Sequence, residues 1–202
     1  LLKKDAIFIF EQPNFTKGVL SLKFDQIYHE HISYFTVRNI KSLLKHSGLK
    51  MISINKNGYH GGSLRTIATN SNSKFKEFNA KKLIDFENKN KIYSLKFYKE
   101  MMKKINIKKI NLLDKLIKLT QNGYLISGIG AGAKSNTFLT FYGLNNIIIK
   151  FLTDSSKFKK NKYTPITRIV IKDDNELSKY KKIACIILSW NISGIVINKI
   201  KK

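Results

Sequence analysis

The feature that most limits the fold is a glycine-spaced turn between two apolar stretches. Gly128-Ile-Gly130-Ala-Gly132-Ala133 follows Tyr124–Ser127 and opens a segment with Phe138, Leu139 and Tyr142 at helical spacing. A strand, a glycine turn and a helix in that order begin a β–α–β unit, whose next strand lies parallel to the first. Ile147–Leu152 supplies that strand and Asp154 closes it. Thr167–Ile171, a helix from Asp174 to Lys179, and Ile183–Leu188 repeat the alternation. Residues 122–202 are therefore expected to form a Rossmann-like α/β unit. The GxGxx(G/A) spacing suits a phosphate-bearing ligand. Glycines let the backbone approach, the helix N-terminus attracts an anion, and an acid at the next strand end can hold a ribose hydroxyl.

The first half has a different rhythm. Ala6–Phe10 is a continuous apolar run that reads as a buried parallel strand. It ends in Glu11-Gln12-Pro13, a polar loop where α/β sheets place ligands. Thr36 is an N-cap for Val37–His46, which carries Val37, Ile40, Leu43 and Leu44 on one face and closes with Ser47-Gly48. Leu49–Ile54, the turn Asn55–Gly58 and His60–Thr69 read as an antiparallel hairpin. Lys74–Leu119 is helical in pattern and free of proline, so two helices are expected there, with their aromatic and methionine positions in the core. The division that follows is 1–70, a helical linker at 71–121, and 122–202.

Between the first strand and its helix lies Phe24-Asp-Gln-Ile-Tyr28-His29-Glu30-His31-Ile-Ser-Tyr-Phe35, which holds two of the four histidines. Spacing alone leaves three roles open for it. Histidine titrates near neutrality, a neighbouring carboxylate can hold its ring, and a phenol can share the proton, which is acid/base chemistry. An HxH pair on a strand can ligate zinc, with His60 or Asp25 as a third ligand, but the helical HExxH spacing is absent and no cysteine is near, so no metal is expected. The third role is a hydrogen-bonded loop of amphipathic side chains. If Tyr28–Glu30 is extended, His29 faces away from its neighbours. Downstream, His60-Gly61-Gly62-Ser63-Leu64-Arg65 puts paired glycines in a strand, which implies a close visitor or a bulge.

The formal net charge is +25, from 38 basic and 13 acidic residues. Lysine, asparagine and isoleucine are abundant throughout and there are three arginines, so the charge reads as compositional rather than as a nucleic-acid face. No apolar run reaches the roughly 18 residues that cross a bilayer, and no signal peptide is visible. The single cysteine, Cys185, is expected to be a small buried hydrophobe in a reduced, cytoplasmic setting. Leu1 at the start and an uncapped helical pattern at the end suggest a piece of a longer polypeptide.

Taken together, these segments resemble the sugar C-methyltransferases that use S-adenosylmethionine on nucleotide-linked deoxysugars. The resemblance rests on Glu11-Gln-Pro13, the run Phe24–Phe35, His60–Arg65, Gly130-Ala-Gly-Ala-Lys-Ser-Asn-Thr137, Asp154 with Lys159, Tyr163 and Pro165, and Leu188-Ser-Trp-Asn191. It implies an α/β fold: the C-terminal part of a class I methyltransferase sheet, ending in a hairpin, followed by a Rossmann-like domain that holds the nucleotide-sugar. It implies His31 as the base that removes a proton beside a sugar keto group, oriented by Glu30 and assisted by Tyr28. Glu11 and Pro13 would face the methyl donor. His60, Arg65, Gly130, Lys134, Asn136, Asp154 and Lys159 would contact the substrate. Zinc belongs to an N-terminal module absent here, as is the glycine-rich loop for the donor's methionine part, so this chain alone is expected to be inactive. Ser135 and Ile166 stand where the family has glycine. The competing readings are an NAD(P)-binding oxidoreductase module built on Gly128–Ala133 and a non-enzymatic basic binding module.

Overall fold

Three antiparallel partners make the first sheet. The computed structural model describes residues 2–58 and 61–200. β1 (Ile7–Pro13), β2 (Leu49–Asn57) and β3 (Ser63–Asn70) lie in the order β1-β3-β2, with β3 antiparallel to both neighbours. Arg65 of β3 is thereby flanked by Glu11 and Asn55. One face of β3 presents Leu64, Thr66 and Ala68, all buried. Against it packs α2 (Val37–His46), whose Val37, Ile40 and Leu44 are buried with Met51, Ile54 and Ala80. Each of these side chains except Ala80 contributes about 1.5–3 kcal/mol by leaving water. Thr36 caps α2, accepting from Asn39 N at 3.2 Å, as its sequence position requires. Leu43, expected on the buried face, is half exposed because it sits at that face's margin. A short helix, α1 (Phe15–Leu20), follows β1 and is capped by Asn14.

β1 corrects one expectation. It is neither parallel nor buried: Ile7, Phe8 and Ile9 are 50%, 43% and 59% exposed, and β3 pairs with it antiparallel at the sheet's edge. An unbroken apolar run marks a strand whose two faces both favour cover, but it does not encode the direction of the neighbour.

The helical stretch resolves into α3 (Lys81–Lys89) and α4 (Leu95–Gln121), the latter 27 residues long. Ile92, Met101 and Ile105 are core positions, while Leu95 and Met102 are exposed. No helix among the described residues is long and apolar enough to cross a membrane.

The chain divides into two compact units, Leu1–Phe24 with His31–Lys104, and Asp25–Glu30 with Ile105–Lys202. The division falls inside α4 and again inside the histidine segment. The second unit is a parallel sheet in the order β6-β5-β4-β7, made of β4 (Leu125–Ile129), β5 (Leu152–Thr153), β6 (Ile171–Lys172) and β7 (Ile183–Ile187). This is a doubly wound arrangement with β4 at the switch in strand order. α5 (Ala133–Tyr142) follows β4, Gly143 ends it at φ +71°, and α6 (Ser193–Ile200) comes last. Ile147–Ile149 and Thr167–Val170 are outside the strands expected there. Ile149 and Ile169 are fully buried, so hydrophobicity marked the core correctly without marking the ladder. Asp174–Lys179 forms a 3₁₀ helix rather than an α-helix. Cys185 is exposed, contrary to expectation, because β7 is an edge strand.

Candidate functional site

A cavity of about 550 Å³ opens in the first unit at the carboxyl end of β1, lined by Glu11, Gln12, Pro13, His31, Asn57, Gly62, Ser63 and Arg65. Its size is typical of small-molecule sites. Three motifs far apart in sequence meet there: the Glu11–Pro13 loop, the histidine segment and the start of β3. Glu11 is the hub. Its Oε1 accepts from the Ser63 hydroxyl and from Asn57 Nδ2 at 3.4 Å, and its Oε2 accepts from Arg65 Nε at 2.8 Å. The Ser63 and Arg65 bonds hold its carboxyl below the usual carboxylate range. Both polar atoms of Gln12 are buried without a hydrogen-bond partner among the described residues. Sequence reading passed over Gln12 and Asn57, since neither carries distinctive chemistry by itself.

His31 is half-buried on this cavity, and its ring is 6.4 Å from that of Tyr34, edge-on. The neighbouring backbone is tied to β1 by a parallel bridge between Asn14 and Phe35. His60 lies outside the described residues. The paired glycines precede β3 rather than interrupt it, with Gly61 at φ +89° and Gly62 at φ +130°. Their visitor is lysine: a Cβ on Gly62 would lie 2.6 Å from the Lys17 side chain, and Lys23 Nζ donates to the Gly61 carbonyl at 3.1 Å.

Tyr28, His29 and Glu30 go with the second unit. They form a bend and turn, not an extended stretch, so alternation does not apply to His29. The Tyr28 and His29 rings meet edge-on at 6.0 Å. Just upstream, buried Asp25 accepts from Trp190 Nε1. The Lys134 ammonium lies 5.5 Å from the centre of that indole. Burial holds Lys134 below the usual lysine range, against the opposing pull of Asp25. Asp25 and Trp190 are separated by 165 residues, and nothing in the sequence pairs them.

The glycine turn is held by its own neighbours. Gly128 belongs to β4, where a Cβ would lie 2.7 Å from Leu152. Gly130, at φ +96°, leaves space for Ser189, whose Oγ would lie 2.0 Å from a Cβ. The Ala131 amide donates to Asp154 Oδ2 at 2.8 Å and the Gly132 amide to Ser135 Oγ at 3.3 Å. Asp154 also accepts from the Ser156 amide and Lys159 Nζ, each at 3.0 Å. Burial pushes the Asp154 carboxyl up, but those donors together hold it below its ordinary value. The Asn136 side-chain oxygen is buried without a partner among the described residues. The structure thus brings Asp154 and Lys159 together, sets Lys134 on Trp190, and places Glu11, Pro13, His31 and Arg65 on one cavity.

Residues 58–202 match the family of C-methyltransferase C-terminal domains, and the chain belongs to it. Along all of its length the chain is 25% identical, over 203 aligned residues, to "C-methyltransferase NovU" of Streptomyces niveus. It spans about half of that relative, 48%.

S-adenosylmethionine is the donor this class implies. Of the residues expected to face it, Glu11 and Pro13 lie on the cavity of the first unit, where the Glu11 carboxylate accepts from Ser63, Asn57 and Arg65 and keeps one acceptor site on Oε2. Among the described residues no three of His, Cys, Asp and Glu gather as metal ligands would.

Proposed function

We propose that this chain carries the proton-abstracting and substrate-holding part of a C-methyltransferase acting on a nucleotide-linked keto-deoxysugar. The observation that carries the reading is the convergence of Glu11–Pro13, His31 and Ser63–Arg65 on one cavity. A carbon acid beside a carbonyl needs a base poised near neutral pH and donors for the enolate oxygen. His31 takes the proton. Glu30, its neighbour in sequence, orients the ring, and Tyr28 shares the proton or donates to the enolate. Arg65 and His60 contact the sugar. The proton leaves carbon for the imidazole, and the electron pair moves onto the keto oxygen until carbon is methylated.

The nucleotide belongs to the second unit in this reading. Gly130, Lys134 and Asn136 face its phosphates or base, with Asp154 and Lys159 at the next strand end. Lys134 supports this as a partly buried cation beside an aromatic face, and Asn136 as a buried acceptor without a partner. Ala131 and Lys159 occupy Asp154 Oδ2 and Ser156 occupies one site on Oδ1, so one acceptor site is left and Asp154 by itself does not separate this reading from the rival NAD(P) one. Calorimetric titration with a nucleotide-linked keto-deoxysugar and with NAD(H) tests the assignment. The sugar nucleotide is expected to bind, NAD(H) not to compete, and Lys134→Ala to weaken binding about tenfold or more. Tight NAD(H) binding abolished by Asp154→Ala would establish the oxidoreductase reading instead.

A further inference from the structure

The most heavily engaged carboxylate of the first unit lies in the helical stretch that sequence reading treats as a linker. Glu87 of α3 is 2% exposed. Its Oε1 accepts from the Val37 amide at 2.7 Å and the Thr16 hydroxyl at 3.1 Å. Its Oε2 accepts from the Tyr93 hydroxyl at 2.6 Å and the Arg38 amide at 3.2 Å. The same Tyr93 oxygen is 2.9 Å from Thr36 Oγ1, and the Arg38 guanidinium covers the Tyr93 ring at 3.9 Å. No ion pair to Glu87 forms among the described residues. Four donors and the positive end of α2 hold the anion instead.

Those donors are not scattered. Thr16 begins two residues beyond Asn14, and Val37 two residues beyond Phe35. Asn14 and Phe35 form the bridge that ties the histidine segment to the end of β1. One buried carboxylate therefore grips both segments just past the point where they meet. We propose that Glu87 is a positioning residue. It fixes Thr36–Arg38, and through them the path of His31–Phe35 against β1. The proposal rests on the reading of His31 as the base.

The chemistry requires a carboxylate. An amide at this position would turn one acceptor into a donor facing the Arg38 amide or the Tyr93 hydroxyl, so Glu87→Gln keeps the shape and breaks half of the grip. Amide hydrogen exchange on the 202-residue chain reads the clamp directly. In Glu87→Gln, protection of Val37 and Arg38 is expected to fall by about 5- to 30-fold, the worth of a lost helix cap. Amides of β4 should be unchanged. Tyr93→Phe, which keeps the carboxylate, should give a smaller loss at the same amides and decides the matter if Glu87→Gln does not fold. Unchanged protection at Val37 and Arg38 would overturn the proposal.

The reaction supplies the second readout. In the full-length methyltransferase with donor omitted, Glu87→Gln is expected to lower the maximal rate of substrate C–H exchange with deuterated water by about 10- to 100-fold. KM for the sugar nucleotide should stay within twofold, and Glu87→Asp should restore part of the rate. A loss that merely tracks the unfolded fraction would reduce Glu87 to a structural residue. If the wild type exchanges no proton, the reaction reading fails while the clamp is still decided by the amide data.

Discussion

At the scale of single residues, the loop between β5 and β6 holds three non-glycine residues at positive φ, Asn161, Ile166 and Arg168. Ile166 has φ +63° and is 79% exposed, so it occupies a left-handed conformation costly for a β-branched residue while burying little. Replacing it by glycine is expected to stabilise the second unit by about 1 kcal/mol, the relief of strain less the added freedom of the unfolded chain. Urea unfolding checks this, and a destabilised variant would show that the isoleucine side chain packs in solution. Asp154 contributes to the pH dependence, as do Glu11 and Glu176, whose carboxyls are also held low. The folded pKa of Asp154 lies below the ordinary 3.8, so the stability it contributes is present above that value and is lost as pH falls through the lower folded one. Asp154→Asn should flatten the acid limb of a thermal-stability profile below about pH 4 while lowering stability at pH 7. An acid limb unchanged in the variant would place the titration elsewhere. The departures at Ser135 and Ile166 were legible in the sequence. What Ser135 does in return, accepting from the Gly132 amide, was not. The partnerships of Glu87 with Val37 and of Asp25 with Trp190 were equally hidden, because they join residues 50 and 165 positions apart by geometry alone.

Among the elements, α2 was legible in its bounds and in all of its buried face but Leu43. A capping threonine, a one-sided apolar stripe and a closing glycine all act within a dozen residues, and the helix runs Val37–His46 as they dictate. The antiparallel pairing of β2 and β3 and the turn before α5 were legible for the same local reason, although Asn55–Asn57, expected in the turn, extend β2 and pair with Ser63–Arg65. Strand pairing is not local, and β1 shows it. Its apolar run was read correctly as a strand and incorrectly as parallel and buried. β1 leaves one edge unpaired among the described residues, with Ile7, Phe8 and Ile9 exposed along it. Such an edge is a template for another strand. The isolated chain is accordingly expected to self-associate, and Ile9→Lys to shift light-scattering mass toward the monomer without loss of the circular dichroism signal. A wild-type chain that stays monomeric at high micromolar concentration would show that this edge is protected. β5 and β6 came out shorter than read, two residues each, because burial of Ile149, Phe151 and Ile169 extends beyond the paired backbone.

For the whole molecule, the α/β class and the separateness of the two sheets followed from periodicity, but the division between units did not. It passes through α4 and between Glu30 and His31, where no composition change marks it. Glu11, Pro13, His31 and Arg65 were singled out through the family resemblance, and the fold places them on one cavity, a meeting that no sequence spacing encodes. The proposed abstraction by His31 of a proton beside a sugar keto group can be measured apart from methyl transfer. The full-length methyltransferase is incubated with nucleotide-linked keto-deoxysugar in deuterated water without donor, and deuterium entering the substrate is followed by NMR. His31→Asn is expected to slow exchange by about 10² to 10⁴-fold, the usual worth of a general base. Glu30→Gln should lose less, and His29→Ala should change little. Exchange at the wild-type rate in His31→Asn, with Tyr28→Phe inactive, would contradict the claim and make Tyr28 the base.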